Sequence, residues 1–345
     1  MANDRPLVGI SMGDALGIGP EVIVKALADP TLRSRARFVI FGLHDALELA
    51  ADQAEINPFW WREPYDGQPR VASGVLVADF DDLPQPRVNG QHGPDETAGR
   101  ASFRFVEEAI HHLHSGAIDA LVTGPVSKEA WRMARYPFRG HTELLARRFE
   151  TRRVSMMFVA DELRVALASD HVALFDLRNR FTIGLVHQPI DLLDRALRDW
   201  FGIERPHIGV LGLNPHAGEG GLLGDEERRI IEPALTLARN ADICVSGPLP
   251  PDTAFTPEVA NRFDGLVAMY HDQALIPIKM SAFHRAVNVT LGLGAIRTSP
   301  DHGTAYDIAG KSKANPGSTI EAIRLAIRLA SMRRESLESA EVATG

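Results

Sequence analysis

Short apolar runs alternate along this chain with longer segments whose apolar positions recur at helical spacing. The apolar runs predict buried strands, and the amphipathic segments predict helices. Alternation of this kind predicts an α/β fold with helices packed on a largely parallel sheet. The predicted strands are Leu7–Met12, Phe38–Phe41, Val75–Ala78, Ala120–Thr123, Ser155–Val159, Val165–Ala168, Ile208–Leu213, Ile243–Ser246, Leu266–Tyr270 and Val287–Leu291. The predicted helices are Glu21–Ala28, Asp45–Asp52, Glu96–His114, Thr142–Phe149, Asp191–Trp200, Asp225–Arg239 and Gly317–Met332, and Asn57–Arg70 is predicted to be an irregular loop.

The composition narrows the class of protein. A length of 345 residues indicates about two domains. With 45% hydrophobic and 24% charged residues, the chain is globular rather than disordered. The net charge of -8 and the lack of basic runs argue against a nucleic-acid partner. An anionic substrate would therefore need local cations to hold it.

Cys244, the one cysteine, excludes an intrachain disulfide and a cysteine-based metal site, and its apolar strand predicts that it is buried. The first residues lack the apolar core of a signal peptide, and no stretch approaches 18 apolar residues without charge. We therefore expect a cytoplasmic protein that does not cross a membrane.

Three histidines each follow a predicted strand, namely His171, His216 and His271. In open α/β sheets, ligands bind outside the carboxyl ends of the strands. Three imidazoles that converge there could hold a divalent metal and leave coordination positions for substrate oxygens. The alternative is that the three histidines are unrelated to one another. The chain has 13 histidines, so some are expected to follow a strand by chance.

The neighbours of two of these histidines favour the metal hypothesis. His216 lies in a glycine-dense loop, where the backbone could approach a ligand closely. Asp272 follows His271 directly and could orient its imidazole, although it could equally cap a helix.

Polar residues that could hold an anion occur in two places. Lys279, Asn288 and Arg297 follow the third histidine, and Lys279 sits in an apolar stretch where a lysine needs a partner. Such side chains are otherwise solvated on the surface. Farther upstream, Thr142 is predicted to cap a helix whose amides, beside His141, could bind an anion.

The other candidate motifs are not predicted to take part in catalysis or binding. His111, His112 and His114 are predicted to be solvated residues at a helix end. No complete Gly-x-Gly-x-x-Gly motif is present, and the sequence before Lys311 lacks the first glycine of a P-loop.

Seven motifs, in order and over nearly the whole chain, resemble the 4-hydroxythreonine-4-phosphate dehydrogenase family of vitamin B6 synthesis. The last of them extends into a loop that also resembles the isopropylmalate and isocitrate dehydrogenases, where the loop holds the adenosine half of NAD. These motifs are 13–21 (GDALGIGPE), 122–128 (VTGPVSK), 140–143 (GHTE), 214–221 (NPHAGEGG), 247–255 (GPLPPDTAF), 270–273 (YHDQ) and 296–305 (IRTSPDHGTA).

The resemblance implies two α/β/α domains around an interdomain cleft, as in the isocitrate and isopropylmalate dehydrogenases. We place the first domain at 1–128 plus 276–345 and the second, for metal binding and dimerisation, at 129–275. A homodimer with shared active sites is also implied. The residues implied are His171, His216 and His271 for the metal; His141, Thr142, Lys279, Asn288 and Arg297 for the substrate; and His302, Gly303, Ala305 and Asp307 for NAD(P).

The implied reaction is the oxidation of 4-phosphohydroxy-L-threonine to a β-keto acid, which decarboxylates to 3-amino-2-oxopropyl phosphate. The divalent metal, whether Zn, Mg, Mn or Co, would act as a Lewis acid on the hydroxyl. Asp252, Lys279 or a metal-bound water could accept the proton.

Two departures from the family pattern suggest a paralogous branch. Ala15-Leu16 and Gly294-Ala295 stand where Pro-Ala and Pro-Phe are usual. The alternative substrates are therefore 4-phospho-D-threonate, 4-phospho-D-erythronate or a terephthalate cis-dihydrodiol. A relative that binds a metabolite without turning it over is the remaining hypothesis.

Overall fold

The computed structural model describes residues 5–84 and 92–344, with side chains as far as residue 336. The chain forms two compact units. Unit 1 comprises Met1–Arg152 and Leu293–Ser331, and unit 2 comprises Arg153–Gly292 and Met332–Gly345. Within the described part of the chain, no helix is both long and apolar enough to cross a membrane.

Unit 1 is built on six parallel strands in the order β3-β4-β2-β1-β5-β12. The order reverses between β1 and β5, so the loops that follow these two strands flank a topological switch point, where open α/β sheets bind ligands. The strands are β1 (Leu7–Ser11), β2 (Arg37–Gly42), β3 (Trp61–Pro64), β4 (Val75–Asp79), β5 (Ala120–Thr123) and β12 (Ile296–Pro300).

The longest helix that lies wholly in unit 1 packs on the centre of this sheet. It begins where the carboxylate of Asp95 accepts a hydrogen bond from the amide of Ala98, and its apolar side contacts β1, β2 and β5. The helices are α1 (Gly19–Leu27), α2 (Pro30–Arg33), α3 (His44–Gln53), α4 (Glu96–His114), α5 (Lys128–Met133), α6 (His141–Arg148) and α12 (Gly317–Thr344), the last of which continues into unit 2.

Unit 2 contains a mixed sheet in the order β11-β6-β7-β10-β8-β9. The strands β11, β6 and β7 pair antiparallel, whereas β7, β10, β8 and β9 pair parallel. The carboxyl ends of four parallel strands therefore share one edge. The strands are β6 (Ser155–Ala160), β7 (Leu163–Leu167), β8 (His207–Leu211), β9 (Cys244–Leu249), β10 (Gly265–Ala268) and β11 (Val287–Leu291).

Helices cover both faces of the unit 2 sheet. Leu275 and Ile278 of one helix join a core cluster with alternate residues of β6, β7 and β10. The helix Ile183–Asp199 contacts the same strands but contributes no residue to that cluster, so it packs on the opposite face of the sheet. The helices are α7 (Leu174–Arg180), α8 (Ile183–Asp199), α9 (Glu232–Asn240), α10 (Pro257–Ala260) and α11 (His271–Ala282).

The predicted α/β class is confirmed, and all ten predicted strands are present. The boundaries between the units differ from the predicted 128 and 276. Helices α5 and α6 contact α4 and so belong to unit 1, whereas α11 and β11 pack on β6 in unit 2.

Local predictions of secondary structure and burial were wrong in the following places. The segment Asn57–Arg70 contains strand β3, which pairs with β4. Cys244 is exposed because it begins an edge strand. His112 is buried, stacked on Phe41 and hydrogen-bonded to the Tyr65 hydroxyl at 3.1 Å. Helix α12 continues past Met332 to Thr344.

Candidate active site

Four residues with side chains suited to metal or proton chemistry follow the four parallel strands of unit 2. His171 follows β7, His271 follows β10, His216 follows β8 and Asp252 follows β9. Because these strands are adjacent and parallel, their following loops lie at one edge of the sheet. The rings of His171 and His271 lie 5.6 Å apart between centroids. The hydrogen bond that His216 donates to Glu219 is the main cause of a raised pKa of the His216 imidazole, and the negative charge of Asp252 contributes to the same rise.

Each of the three imidazoles has a carboxylate on its Nδ1 side. His216 Nδ1 lies 2.8 Å from Glu219 Oε2, and His271 Nδ1 lies 2.7 Å from Asp272 Oδ1. His171 Nδ1 is 3.9 Å from a carboxylate oxygen of Asp170. A carboxylate that accepts the Nδ1–H fixes the tautomer with its lone pair on Nε2, the atom that would bind a metal.

The structure also decides between the two interpretations of Asp272. Helix α11 begins after Tyr270, which makes no side-chain capping hydrogen bond, and the Asp272 carboxylate contacts the imidazole of His271. Asp272 therefore orients this imidazole.

The imidazole nitrogens of the three histidines are suitable ligands for a divalent metal, but these atoms do not all lie within 4.8 Å of one another. Among the residues that the structure describes, only His44, Asp45 and Glu48 have ligand atoms that all lie within 4.8 Å of one another. That group is on helix α3 of unit 1, and two of its members are exposed carboxyl groups.

The loop that carries His216 has an unusual backbone. The five residues 216–220 all have left-handed dihedral angles, with φ between 45° and 81°. This conformation costs about 1–2 kcal/mol for each residue that is not glycine. His216, Ala217 and Glu219 are such residues, so the rest of the loop must hold the turn in place.

Two further predicted site residues also lie in unit 2. Lys279 is on α11, the helix that begins with His271, and is partly buried. Asn288 is on β11, and its Oδ1 is buried with no hydrogen-bond partner among the described residues. A buried amide oxygen of this kind can accept a hydrogen bond from a ligand.

In unit 1, His141 and Thr142 begin helix α6. The prediction that Thr142 caps this helix was wrong, because Gly140 occupies the N-cap position and adopts a φ of 145°. Thr142 is instead the second helical residue, where its own amide has no partner within the helix. His141 Nε2 is buried and has no hydrogen-bond partner among the described residues.

Positive charge surrounds His141. Burial, Arg297 and Lys128 together hold the pKa of the His141 imidazole well below its usual range, so the ring is neutral. Arg297, on β12, is 3% exposed, its guanidinium donates to the Thr123 hydroxyl, and burial lowers its pKa. A buried guanidinium, a lysine and an imidazole nitrogen with no partner among the described residues are suited to an anion.

Lys128 was not predicted as a site residue. It begins α5 after the N-cap residue Ser127, and its Cε lies 3.4 Å from where a Cβ on Gly140 would be. Its sequence context is that of an exposed lysine, and only the fold brings it beside the start of α6.

The loop after β12 packs at the switch point of unit 1. The Ile18 amide donates to the Thr304 carbonyl at 2.9 Å, and the Tyr306 hydroxyl donates to Asp14 at 2.6 Å. Gly17 is required at this junction, because a Cβ there would lie 2.8 Å from the Thr304 oxygen. The first and last sequence motifs therefore meet in space.

The four predicted cofactor-binding residues lie in this loop and differ in exposure. Burial lowers the pKa of His302, whose Nε2 lies 3.4 Å from the Thr319 hydroxyl. Gly303 is exposed, with open space where a side chain would be. Ala305 has a φ of 44°, and Asp307 is exposed.

Comparisons with known proteins agree over nearly the whole chain. The family model described as "Pyridoxal phosphate biosynthetic protein PdxA" matches residues 34–326. A 4-hydroxythreonine-4-phosphate dehydrogenase from Desulforapulum autotrophicum is 42% identical over 329 residues, covering 94% of this chain and 96% of that protein. A D-threonate 4-phosphate dehydrogenase from Cupriavidus necator is 42% identical over 337 residues, covering 96% of this chain and 100% of that protein.

A solved structure is similar over the same extent. The 4-hydroxythreonine-4-phosphate dehydrogenase from Klebsiella pneumoniae has a TM-score of 0.85 at 36% identity and covers 95% of this chain and 98% of that one. The fold and these relatives define an enzyme of the dehydrogenase class. Within that class, the chain belongs to the PdxA family.

Proposed function

We propose that this enzyme uses NAD(P) and a divalent metal to oxidise 4-phosphohydroxy-L-threonine to a β-keto acid, which decarboxylates to 3-amino-2-oxopropyl phosphate. The observation that carries this proposal is the row of His171, His216, His271 and Asp252 after four adjacent parallel strands. The family membership and the relative named for this substrate support it.

His171, His216 and His271 would hold the metal. His216 and His271 would do so through Nε2, because the Nδ1 of each is hydrogen-bonded to a carboxylate. Zn, Mg, Mn and Co all accept mixed nitrogen and oxygen ligands. The bound metal would supply a Lewis acid that favours ionisation of the substrate hydroxyl.

Unit 1 supplies the groups that would hold an anionic part of the substrate. Arg297 and Lys128 contribute positive charge, and neutral His141 can donate from Nε2 to a phosphate or carboxylate oxygen. Thr142 adds an amide at the start of α6. Lys279 and Asn288 are the other proposed substrate contacts.

His302, Gly303, Ala305 and Asp307 would hold NAD(P), which supplies the hydride acceptor. The open space at Gly303 lets a ligand approach the backbone closely. The bond between Tyr306 and Asp14 fixes the loop at the switch point. Asp252 and Lys279 are the proposed proton acceptors.

The reaction is tested by following NAD reduction with 4-phosphohydroxy-L-threonine, with and without a chelator. We expect turnover that the chelator abolishes and that is lost in His216→Ala. The matched control is His207→Gln, because His207 begins β8 at the end opposite His216. Full activity of His216→Ala in metal-free buffer would contradict the proposal.

The second candidate substrate is D-threonate 4-phosphate, because the relative named for that substrate is also 42% identical to this chain. The same assay should therefore include 4-phospho-D-threonate, 4-phospho-D-erythronate and the terephthalate cis-dihydrodiol. Turnover of only one of these would retain the chemistry and change the substrate.

We also propose that the enzyme is a homodimer that associates through unit 2 and shares its active sites. Large apolar side chains are exposed there on α7, where Phe175 is 94% exposed, and along one side of α11, where Ile276, Met280 and Phe283 recur at helical spacing. Patches of this kind mark association surfaces.

The dimer is tested by light scattering coupled to size-exclusion chromatography. We expect Phe175→Ser to weaken the dimer, whereas Leu49→Ser, at an exposed leucine of unit 1, should leave it intact. A wild-type monomer at micromolar concentration would contradict this proposal.

A further inference from the structure

A buried carboxyl group, that of Glu227, is hydrogen-bonded to the residues that precede the left-handed turn at 216–220. Glu227 is buried, with 4% of the residue exposed. Its Oε1 accepts hydrogen bonds from the amides of Leu213 at 2.8 Å and Asn214 at 2.7 Å. Its Oε2 accepts from Asn214 Nδ2 at 2.9 Å. One side chain therefore fixes the two residues that lead into the turn.

The turn also closes over this carboxylate without leaving space. A Cβ on Gly218 would lie 2.7 Å from Glu227 Oε2, and one on Gly212 would lie 3.2 Å from Glu227 Oε1. Glu227 itself begins a π-helical turn, Glu227–Ile231, ahead of α9. Such turns insert one extra residue and are frequent at functional sites.

We propose that Glu227 is a positioning residue that holds the strained loop so that His216 faces the other ligands of the proposed metal site. In this role Glu227 acts through the loop and not as a ligand of the metal or the substrate. Its two backbone hydrogen bonds fix the direction in which the loop leaves β8, and its packing against Gly218 stabilises the left-handed turn. This inference rests on the proposed function, since it assigns a role to His216.

The test compares Glu227→Gln with the neighbouring variant Glu226→Gln. Glu226 bonds to Asn214 Nδ2 at 2.8 Å, but the contacts that the structure gives it include neither backbone amide that Glu227 binds. Titration of each apoprotein with Zn²⁺ in a calorimeter measures the affinity directly. We expect Glu227→Gln to bind Zn²⁺ about 10-fold or more weakly, as for other groups that orient a metal ligand. We expect Glu226→Gln to change it by less than about 3-fold.

A second measurement needs no metal. Amide hydrogen exchange of the apoprotein should accelerate in Glu227→Gln at residues 213–221 and stay unchanged in the strands of unit 2. The substitution Ala217→Gly should restore part of the Zn²⁺ affinity in the Glu227→Gln background, because glycine adopts the φ of 53° at position 217 without strain.

The outcomes separate this inference from the proposed function. If wild type binds Zn²⁺ and Glu227→Gln binds it equally well, the positioning role is refuted. Exchange that accelerates throughout unit 2, without rescue by Ala217→Gly, would show a general structural role and would also refute it. A wild type that binds no Zn²⁺, Mg²⁺, Mn²⁺ or Co²⁺ would refute the proposed function, while the exchange experiment would still test whether Glu227 holds the loop.

Discussion

The hydrogen bond between Tyr306 and Asp14 ties the loop after β12 to the loop after β1. Asp14 is fully buried, and its carboxylate accepts from the Tyr306 hydroxyl at 2.6 Å and from the Leu16 amide at 2.9 Å. Tyr306→Phe removes the first donor and leaves a buried carboxylate oxygen without it. Because hydrogen bonds to charged groups contribute about 1.5–3 kcal/mol, we expect a destabilisation of that size at neutral pH.

The destabilisation should depend on pH in a defined direction. Burial raises the pKa of Asp14 above its usual value, and the Tyr306 hydroxyl opposes that rise. Since the folded state binds this proton more tightly than the unfolded state, the carboxyl contributes its full stability at low pH and loses it as the pH rises through the raised pKa. Without the hydroxyl the pKa of Asp14 rises further, because the ionised carboxylate loses a donor. The stability lost on Tyr306→Phe should therefore be larger at pH 7.5 than at pH 4.5.

The assay is the thermal midpoint of wild type and Tyr306→Phe at the two pH values. The matched control is Tyr136→Phe, because Tyr136 also lies in unit 1 and stacks on Phe103, and the structure shows no hydrogen bond from its hydroxyl to a described residue. An equal loss at pH 7.5 and pH 4.5, or no loss at pH 7.5, would refute the reasoning.

Three further predictions concern other parts of the chain. Gly292→Ala should destabilise the protein by more than about 3 kcal/mol, because the added Cβ would overlap the Arg153 carbonyl at a φ of 90°. The control Gly67→Ala has the same φ and open space around the Cβ, so it should cost about 1 kcal/mol. Thermal midpoints of the two variants check this difference. Neutral His141 resists the proton that the same residue accepts in the unfolded chain, so wild type should lose up to about 1.4 kcal/mol of stability per pH unit as the pH falls below about 6.5. His141→Gln should therefore reduce the difference between the thermal midpoints at pH 7.5 and pH 5.5. Lys25→Met should increase proteolysis of the loop at 301–316, because Lys25 donates to two of its carbonyls at 3.0 and 3.2 Å; equal cleavage of variant and wild type would contradict this.

Strands with apolar residues on both faces could be predicted from the sequence because burial on both sides leaves a continuous apolar run. Strand β12 was missed because Arg297, Thr298 and Ser299 are polar and are nevertheless buried. Strand β3 was missed for the opposite reason, since all four of its residues are exposed. A proline ordinarily marks a helix boundary. Because Pro189 and Pro277 lie inside helices α8 and α11, the first part of α8 and the whole of α11 were not predicted.

The candidate site was predicted to a similar extent. Residues that directly follow a strand, such as His171 and His271, could be found because strand ends have a known place in an α/β sheet. Lys128 and Glu227 could not be found in this way. Glu227 lies on a predicted helix and Lys128 on no predicted element, and a lysine or a glutamate at such a position is typical of a solvated surface. Their partners, Gly140 and Leu213, lie 12 and 14 residues away, and only the folded backbone brings each pair together.

The two units differ in when the ribosome delivers their strands. All six strands of unit 2 lie between residues 155 and 291, whereas unit 1 receives its last strand, β12, at 296–300. At a synthesis rate of about 5–20 residues per second, β5 waits for roughly 7–30 s after residue 152 before its partner emerges. During that interval the apolar strand β5 is an uncovered edge, the kind of surface that pairs with other chains. We therefore expect the nascent chain to depend most on chaperones during this interval, after unit 2 has begun to fold.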